Sequence, residues 1–172
     1  MELKTILEAV LFSSSRPVTP KQVSRRLEEF SLRDIEEAFK ALIRDYSSPE
    51  RSVEIAEVAG GYQMRTRVEY RDFVKRFVKE KDVALSRPML ETLSIIAYKQ
   101  PVAKKEIDAV RGVDSARAIK HLLEKRLVDI AGRDGDGGKK MTFRTTPRFL
   151  EVYGLKSIED LPTYKEIESL EG

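Results

Sequence analysis

The sequence predicts a mainly helical α+β chain made of two tandem winged-helix domains, the winged helix being a helix-turn-helix variant. Three observations carry this. The 172 residues leave room for one large domain or two small ones. A degenerate internal repeat aligns Ile6 to Val23 with Leu90 to Ile107, placing Pro17 on Pro101. Each copy then reads as three amphipathic helices followed by an alternating two-stranded ribbon and a closing helix.

Under the repeat Ile6 meets Leu90, Ala9 meets Leu93, Leu11 meets Ile95, Phe12 meets Ile96, Val18 meets Val102 and Val23 meets Ile107. After a shortened loop, Ala38, Phe39, Leu42 and Ile43 match Ala118, Ile119, Leu122 and Leu123. In the first copy Leu3, Ile6, Leu7, Val10 and Leu11 fall at helical spacing, and the helix stops at Ser13-Ser14-Ser15 before Pro17. Thr19 caps a second helix with Pro20 at its first position, where the missing N–H costs least. Ser31 begins a third, with Asp34 in capping relation and Ile35, Phe39, Leu42, Ile43 and Tyr46 as its apolar stripe. Val53, Ile55 and Val58 alternate toward a Gly60-Gly61 turn, and Tyr62, Met64 and Thr66 return. A helix from Tyr70 to Val78 closes the copy.

In the second copy Ser86 caps a helix carrying Leu90, Leu93, Ile96 and Ala97. Gly112 breaks the next helix, and Asp114 caps the one bearing Ala118, Ile119, Leu122 and Leu123. Val128 and Ile130 start a strand, GRDGDGG forms its tip, and Met141, Phe143 and Thr145 return. Pro147 opens a last helix with Phe149 and Leu150 inward. The expected boundaries are 1–82 and 83–162, divided in the charged stretch 79–86, with 163–172 an acidic tail and a candidate for disorder.

Composition excludes whole classes of chemistry. With no cysteine there is no disulfide, thiol nucleophile or thiolate metal site, and the single His121 excludes a histidine cluster. No cofactor, metal or catalytic residue is expected. Ser13, Ser14 and Ser15 lack an adjacent base and read as a helix terminus, and GRDGDGG lacks both the Walker ending and the ligand count of a calcium loop. Glu36-Glu37 reads as a solvated pair, and His121 as a packing residue at the flank of its helix. Glu8 interrupts the N-terminal apolar stretch, which is read as a helix and not a signal peptide, and no run is long enough to cross a bilayer. A soluble cytoplasmic protein without membrane contact is expected. High charge without Cys or Trp also suits a thermophile.

The formal charge is only +3. Residues 86–150 nevertheless hold 14 basic and 8 acidic side chains, while residues from 151 onward hold 2 basic and 6 acidic ones. Arg117, Lys120, Arg133, Lys139 and Lys140 are therefore candidate DNA contacts, nonspecific and weak, of the second copy. The corresponding helix of the first copy carries the acidic pair Glu36-Glu37, which repels phosphates. Apolar residues in surplus of two small cores point instead to protein docking. Leu3, Leu7 and Leu11 are candidates for a dimer contact, and Tyr98, Tyr153, Leu155 and Leu161 for a partner protein.

The blocks LSRPMLETLSIIAYKQPVAKKEIDAVRGVDS (85–115), TTPRFLEVYGLKSIEDLP (145–162) and GGYQMRT (60–66) closely resemble the bacterial segregation and condensation protein B family. The family often has a Pro-Gly-Arg-Pro type turn in the second wing, where this chain has Gly137-Gly138-Lys139-Lys140. The resemblance implies a non-enzymatic adaptor, a homodimer joined mainly through its N-terminal domains. It implies binding of the kleisin subunit ScpA and, through it, SMC in a nucleoid-associated complex for chromosome condensation and partition. A DNA-binding regulator using the third helix of the second copy is the alternative.

Overall fold

The computed structural model describes residues 1–78, 84–134 and 140–170, apart from the side chains of 133, 134, 140, 164, 168 and 170. It is helix-rich with two small antiparallel sheets. The chain forms two compact units: Met1–Lys81 with Gly154–Gly172, and Asp82–Tyr153.

In the first unit α1 (Leu3–Ser13) ends where Ser13 and Ser14 turn their hydroxyls back onto the carbonyls of Ala9 and Val10. That competition with the backbone is what stops the helix. Helix α2 (Pro20–Ser24) opens on a reciprocal cap: Gln22 N–H donates to Thr19 Oγ1 and Thr19 N–H to Gln22 Oε1. Helix α3 (Leu32–Asp45) opens on Ser31, whose Oγ accepts from Asp34 N–H at 3.1 Å. Strands β1 (Val53–Val58) and β2 (Gly61–Thr66) pair antiparallel, Val58 opposite Gly61. The expected turn is displaced by one residue. Ala59 and Gly60 form it, both at positive φ as a tight hairpin turn of this twist requires.

Gly61 has a different role. A Cβ there would lie 2.9 Å from the carbonyl carbon and oxygen of Val18, and this close approach lets Val18 bridge to Tyr62. The closing helix is shorter than predicted: a 3-10 turn, Val68–Tyr70, runs into α4 (Arg71–Val74). Leu7, Leu11, Val23, Ile35, Phe39, Leu42 and Ile55 make the core, with Phe39 stacked on Tyr62 at 4.3 Å.

The second unit repeats the plan. Helix α5 (Arg87–Lys99) leads to β3 (Val102–Ala103), α6 (Lys104–Arg111) and α7 (Ala116–Glu124). Strands β4 (Val128–Asp134) and β5 (Lys140–Thr145) follow, in the sheet order β3-β5-β4, and α8 (Pro147–Tyr153) closes the unit. Two caps differ from expectation. Ser86 makes no side-chain bond to α5, and Ser115, not Asp114, is the residue before α7, although Asp114 accepts from Ala116 N–H at 3.1 Å. Gly112 ends α6 at φ +73.

The repeat is physical at several aligned pairs. Val18 bridges Tyr62 as Val102 pairs with Phe143, and Glu106 accepts from Ala103 N–H as Gln22 does from Thr19 N–H. In the first helix, however, its phase is off by one. The buried positions Leu7 and Leu11 match Thr92 and Ile96, so Phe12 is not the counterpart of Ile96: it is 81% exposed where Ile96 is 0%.

The C-terminal segment departs most from expectation. From Gly154 it belongs to the first unit: Ala59 N–H donates to the Leu155 carbonyl at 2.9 Å, Gly60 N–H to the Lys156 carbonyl at 3.0 Å, and Lys156 Nζ pairs with Glu57 at 2.9 Å. The boundary expected after Pro162 falls at Gly154. The acidic tail carries α9 (Tyr164–Leu170), started by Thr163 and Glu166 in reciprocal hydrogen bonds.

Candidate functional site

Ser13 and Ser14 donate to helix carbonyls, and His121 Nδ1 lies 3.1 Å from Glu124 on the exposed side of α7. Among the described residues no group of three or more His, Cys, Asp or Glu side chains is arranged to hold a metal, and no helix is long and apolar enough to cross a membrane. The described residues present exposed apolar side chains and a recess in each unit.

In the first unit, two of the three proposed dimer residues are unavailable. Leu7 and Leu11 are 0% and 1% exposed and fill the unit's own core, so they cannot also meet a second chain. Their spacing makes them the inward stripe of α1, and burying each contributes about 1.5–3 kcal/mol to folding. Leu3 is half-buried against that core. Sequence reasoning missed Phe12, which stands in solvent one position beyond the stripe. The available signal was its phase: 100° past Leu11 on the helix. Ile6 and Val10, with Val18, Val23 and Leu27, line an apolar recess of about 550 Å³ rimmed by Arg16, Gln22 and Arg26. Phe73 and Phe77, beyond the hairpin, are also exposed.

The four proposed partner contacts divide between the units. Tyr98 and Tyr153 belong to the second and are about half exposed, Tyr153 with its ring against Phe149 at 4.8 Å. Leu155 and Leu161 are partly buried in the first unit, Leu155 held by its backbone on the β1–β2 turn.

In the second unit a charge cluster lies at the turn between α6 and α7. Lys104 Nζ reaches Asp108 at 2.6 Å and also bonds Asp114, while Asp108 accepts from the Ser115 backbone N–H at 2.8 Å and from the Ser115 hydroxyl. Asp108 is thereby held at a pKa of about 2, the Lys104 bond being the largest cause and the Ser115 hydroxyl the next. The same ammonium lowers Asp114, and both partners raise Lys104. This fixes the turn between α6 and α7. Beside it Ser86, Pro88, Met89, Arg111, Asp114, Arg117, Ala118, His121 and Lys125 line a recess of about 550 Å³. Of the DNA candidates, Arg117 lines this recess and Lys120 lies 4.0 Å from Glu124. Lys139 and the side chains of Arg133 and Lys140 lie outside the described residues.

The family model for the segregation and condensation complex subunit ScpB matches residues 5–164. Segregation and condensation protein B of Syntrophotalea carbinolica is 41% identical over 170 residues, 99% of this chain and 86% of that protein. Its counterpart in Clostridioides difficile is 35% identical over 175 residues, 99% of this chain and 98% of that protein. The crystal structure of ScpB from Mycobacterium tuberculosis is 31% identical and covers 90% of this chain and 96% of its own, at a TM-score of 0.41. With the match running from α1 into α9 and through both units, the chain belongs to the segregation and condensation complex subunit ScpB family.

Proposed function

We propose that this chain is a non-catalytic adaptor of an SMC–kleisin condensin-like complex, acting as a homodimer that binds the kleisin ScpA. Each unit would be a winged-helix domain turned from nucleic-acid reading to protein docking. The complex would serve chromosome condensation and partition at the nucleoid in the cytoplasm. The observation that carries this reading is family membership over nearly the whole chain.

Surface chemistry supports it. Phe12, Tyr98 and Tyr153 are large apolar groups left outside the cores, the residue type that anchors protein interfaces. Leu3 and Phe12 are the residues of α1 proposed for the dimer, and Tyr98 and Tyr153 those proposed for the kleisin. The C-terminal segment with Leu155 and Leu161 is proposed as a second kleisin-facing element on the first unit.

Co-purification tests the reading. The full chain mixed with ScpA is expected to elute as one complex, and sedimentation of the chain alone at tens of micromolar, an order-of-magnitude range above typical subunit dissociation constants, is expected to give a dimer. A monomer that does not retain ScpA would overturn the reading.

A further inference from the structure

The recess beside α7 is built differently from the apolar one in the first unit. Arg111 lines it with a side chain only 7% exposed, and the Arg111 Nε is buried without a hydrogen-bond acceptor. One terminal nitrogen of Arg111 reaches Glu91, at 3.4 Å. A buried guanidinium with an idle N–H costs free energy until an acceptor arrives. The same recess takes in Ser86, Pro88 and Met89 at the start of α5, where Pro88 has no N–H and Met89 N–H donates to the Ser86 carbonyl at 2.9 Å, so the cations and not the helix end supply its charge.

Arg117 and His121 on α7 and Lys125 at its C-terminal cap follow at four-residue intervals, and all three line the recess. The row spans about 12 Å at ~1.5 Å per residue. The opposing charges are Glu91, shared between Arg111 and Arg87, Asp114, which also lines the recess but is tied to Lys104, and Glu124, which lies against His121 and Lys120.

We propose that this recess is a phosphate site through which the second unit holds the backbone of duplex DNA. The Arg111 guanidinium draws a phosphate to the recess, and the α7 row meets further phosphates of the same strand, which carries a charge every ~3.4 Å of axis. Charge favours this occupant. The recess has cations at its floor and rim, and residues 86–150 have a net charge of +6. The α6–α7 pair, joined through Gly112–Ser115, also has the helix-turn-helix connection. Such a contact is independent of base sequence and goes beyond the adaptor role.

The test is fluorescence anisotropy of the full chain with a labelled 30-base-pair duplex from ~50 to ~200 mM salt, a range over which backbone contacts weaken strongly. The double variant Arg117→Glu/Lys125→Glu is compared with Lys40→Glu/Arg44→Glu, which makes the same charge change on α3. Micromolar binding at low salt is expected, lost at least tenfold in the α7 variant, with a salt slope reduced by about two, and nearly unchanged in the α3 variant. Arg111→Gln, checked for folding by circular dichroism, is expected to weaken binding as well; if it unfolds, the α7 and α3 pair decides alone. ScpA retention by the α7 variant is expected to be intact. The proposal is overturned if the wild-type chain binds no duplex at low salt, or if both double variants lose equally. It is overturned too if the α7 variant loses ScpA or polyglutamate and not DNA, which would make the recess a carboxylate site, or if inorganic phosphate binds there and duplex does not.

Discussion

The backbone N–H of Ala59, in the tip of the first hairpin, donates to the carbonyl of Leu155 at 2.9 Å. With the Gly60–Lys156 bond beside it, the segment after Tyr153 becomes part of the first unit. Truncation after Tyr153 is therefore expected to loosen the first unit. The loss is about 1–3 kcal/mol for two backbone bonds, and the Ala59 and Gly60 amides should exchange with solvent rapidly in the truncated chain and slowly in the full one. Equal exchange in both would show that the segment contributes nothing there.

Gly61→Ala is expected to cost about 1–3 kcal/mol, because its Cβ would sit 2.9 Å from the Val18 carbonyl and push the bridge to Tyr62 apart. Gly132→Ala, with nothing within 4 Å, is the matched control and is expected to stay within about 0.5 kcal/mol of the parent. Urea midpoints of the two variants measure the difference.

Two neighbours on α1 should behave oppositely. Leu7→Ala removes a fully buried side chain and is expected to cost about 2–5 kcal/mol of folding stability at any protein concentration. Phe12→Asp, on the exposed side, should leave stability nearly unchanged and lower the dimer fraction in sedimentation. A Phe12→Asp chain that remains fully dimeric would remove Phe12 from the proposed contact.

Asp108 gives the second unit an acid-sensitive hold. Its folded pKa, about 2, lies below the ordinary carboxylate value, so its stabilisation is complete above about 4 and fades as pH falls toward 2. Asp108→Asn is expected to be less stable than the parent at neutral pH, with the gap narrowing below pH 4. Denaturation series at several pH values check this, and a constant gap would mean that Asp108 acts through shape alone.

Tyr98→Asp and Tyr153→Asp are expected to reduce ScpA retention tenfold or more, the scale of an interface anchor. Leu155→Asp separates the two candidate surfaces. If it alone weakens ScpA binding, the partner sits on the first unit.

Much of the fold was legible because its signals are local. The caps at Thr19 and Ser31, the stop at Ser13–Ser15, the glycine at 112 and the stripe Ile35-Phe39-Leu42 each depend on residues within about two helical turns. The repeat added long-range order, since Val18 and Val102, matched by sequence, both pair with a return strand. The phase of α1 was not legible: its apolar residues lie on several faces, and only packing against α3 selects Leu7 and Leu11 over Phe12. The recess of the second unit was half legible. Arg117 was marked by its charge, but Arg111 looked like any cation at the end of a helix, and its burial and its pairing with Glu91 of α5 are tertiary.

The sequence by itself determined the family, the two-copy plan and most element boundaries, because these rest on periodicity, capping and motifs read within short windows. Tertiary structure decided which apolar residues are core and which are surface, that the chain from Gly154 onward joins the first unit, and that Arg111, Arg117 and Lys125 border one recess with His121. Each of these depends on contacts between residues far apart in the chain. The backbone N–H and C=O groups that make the first of these joins, Ala59 to Leu155, are the same in every residue, so no side-chain pattern announces them.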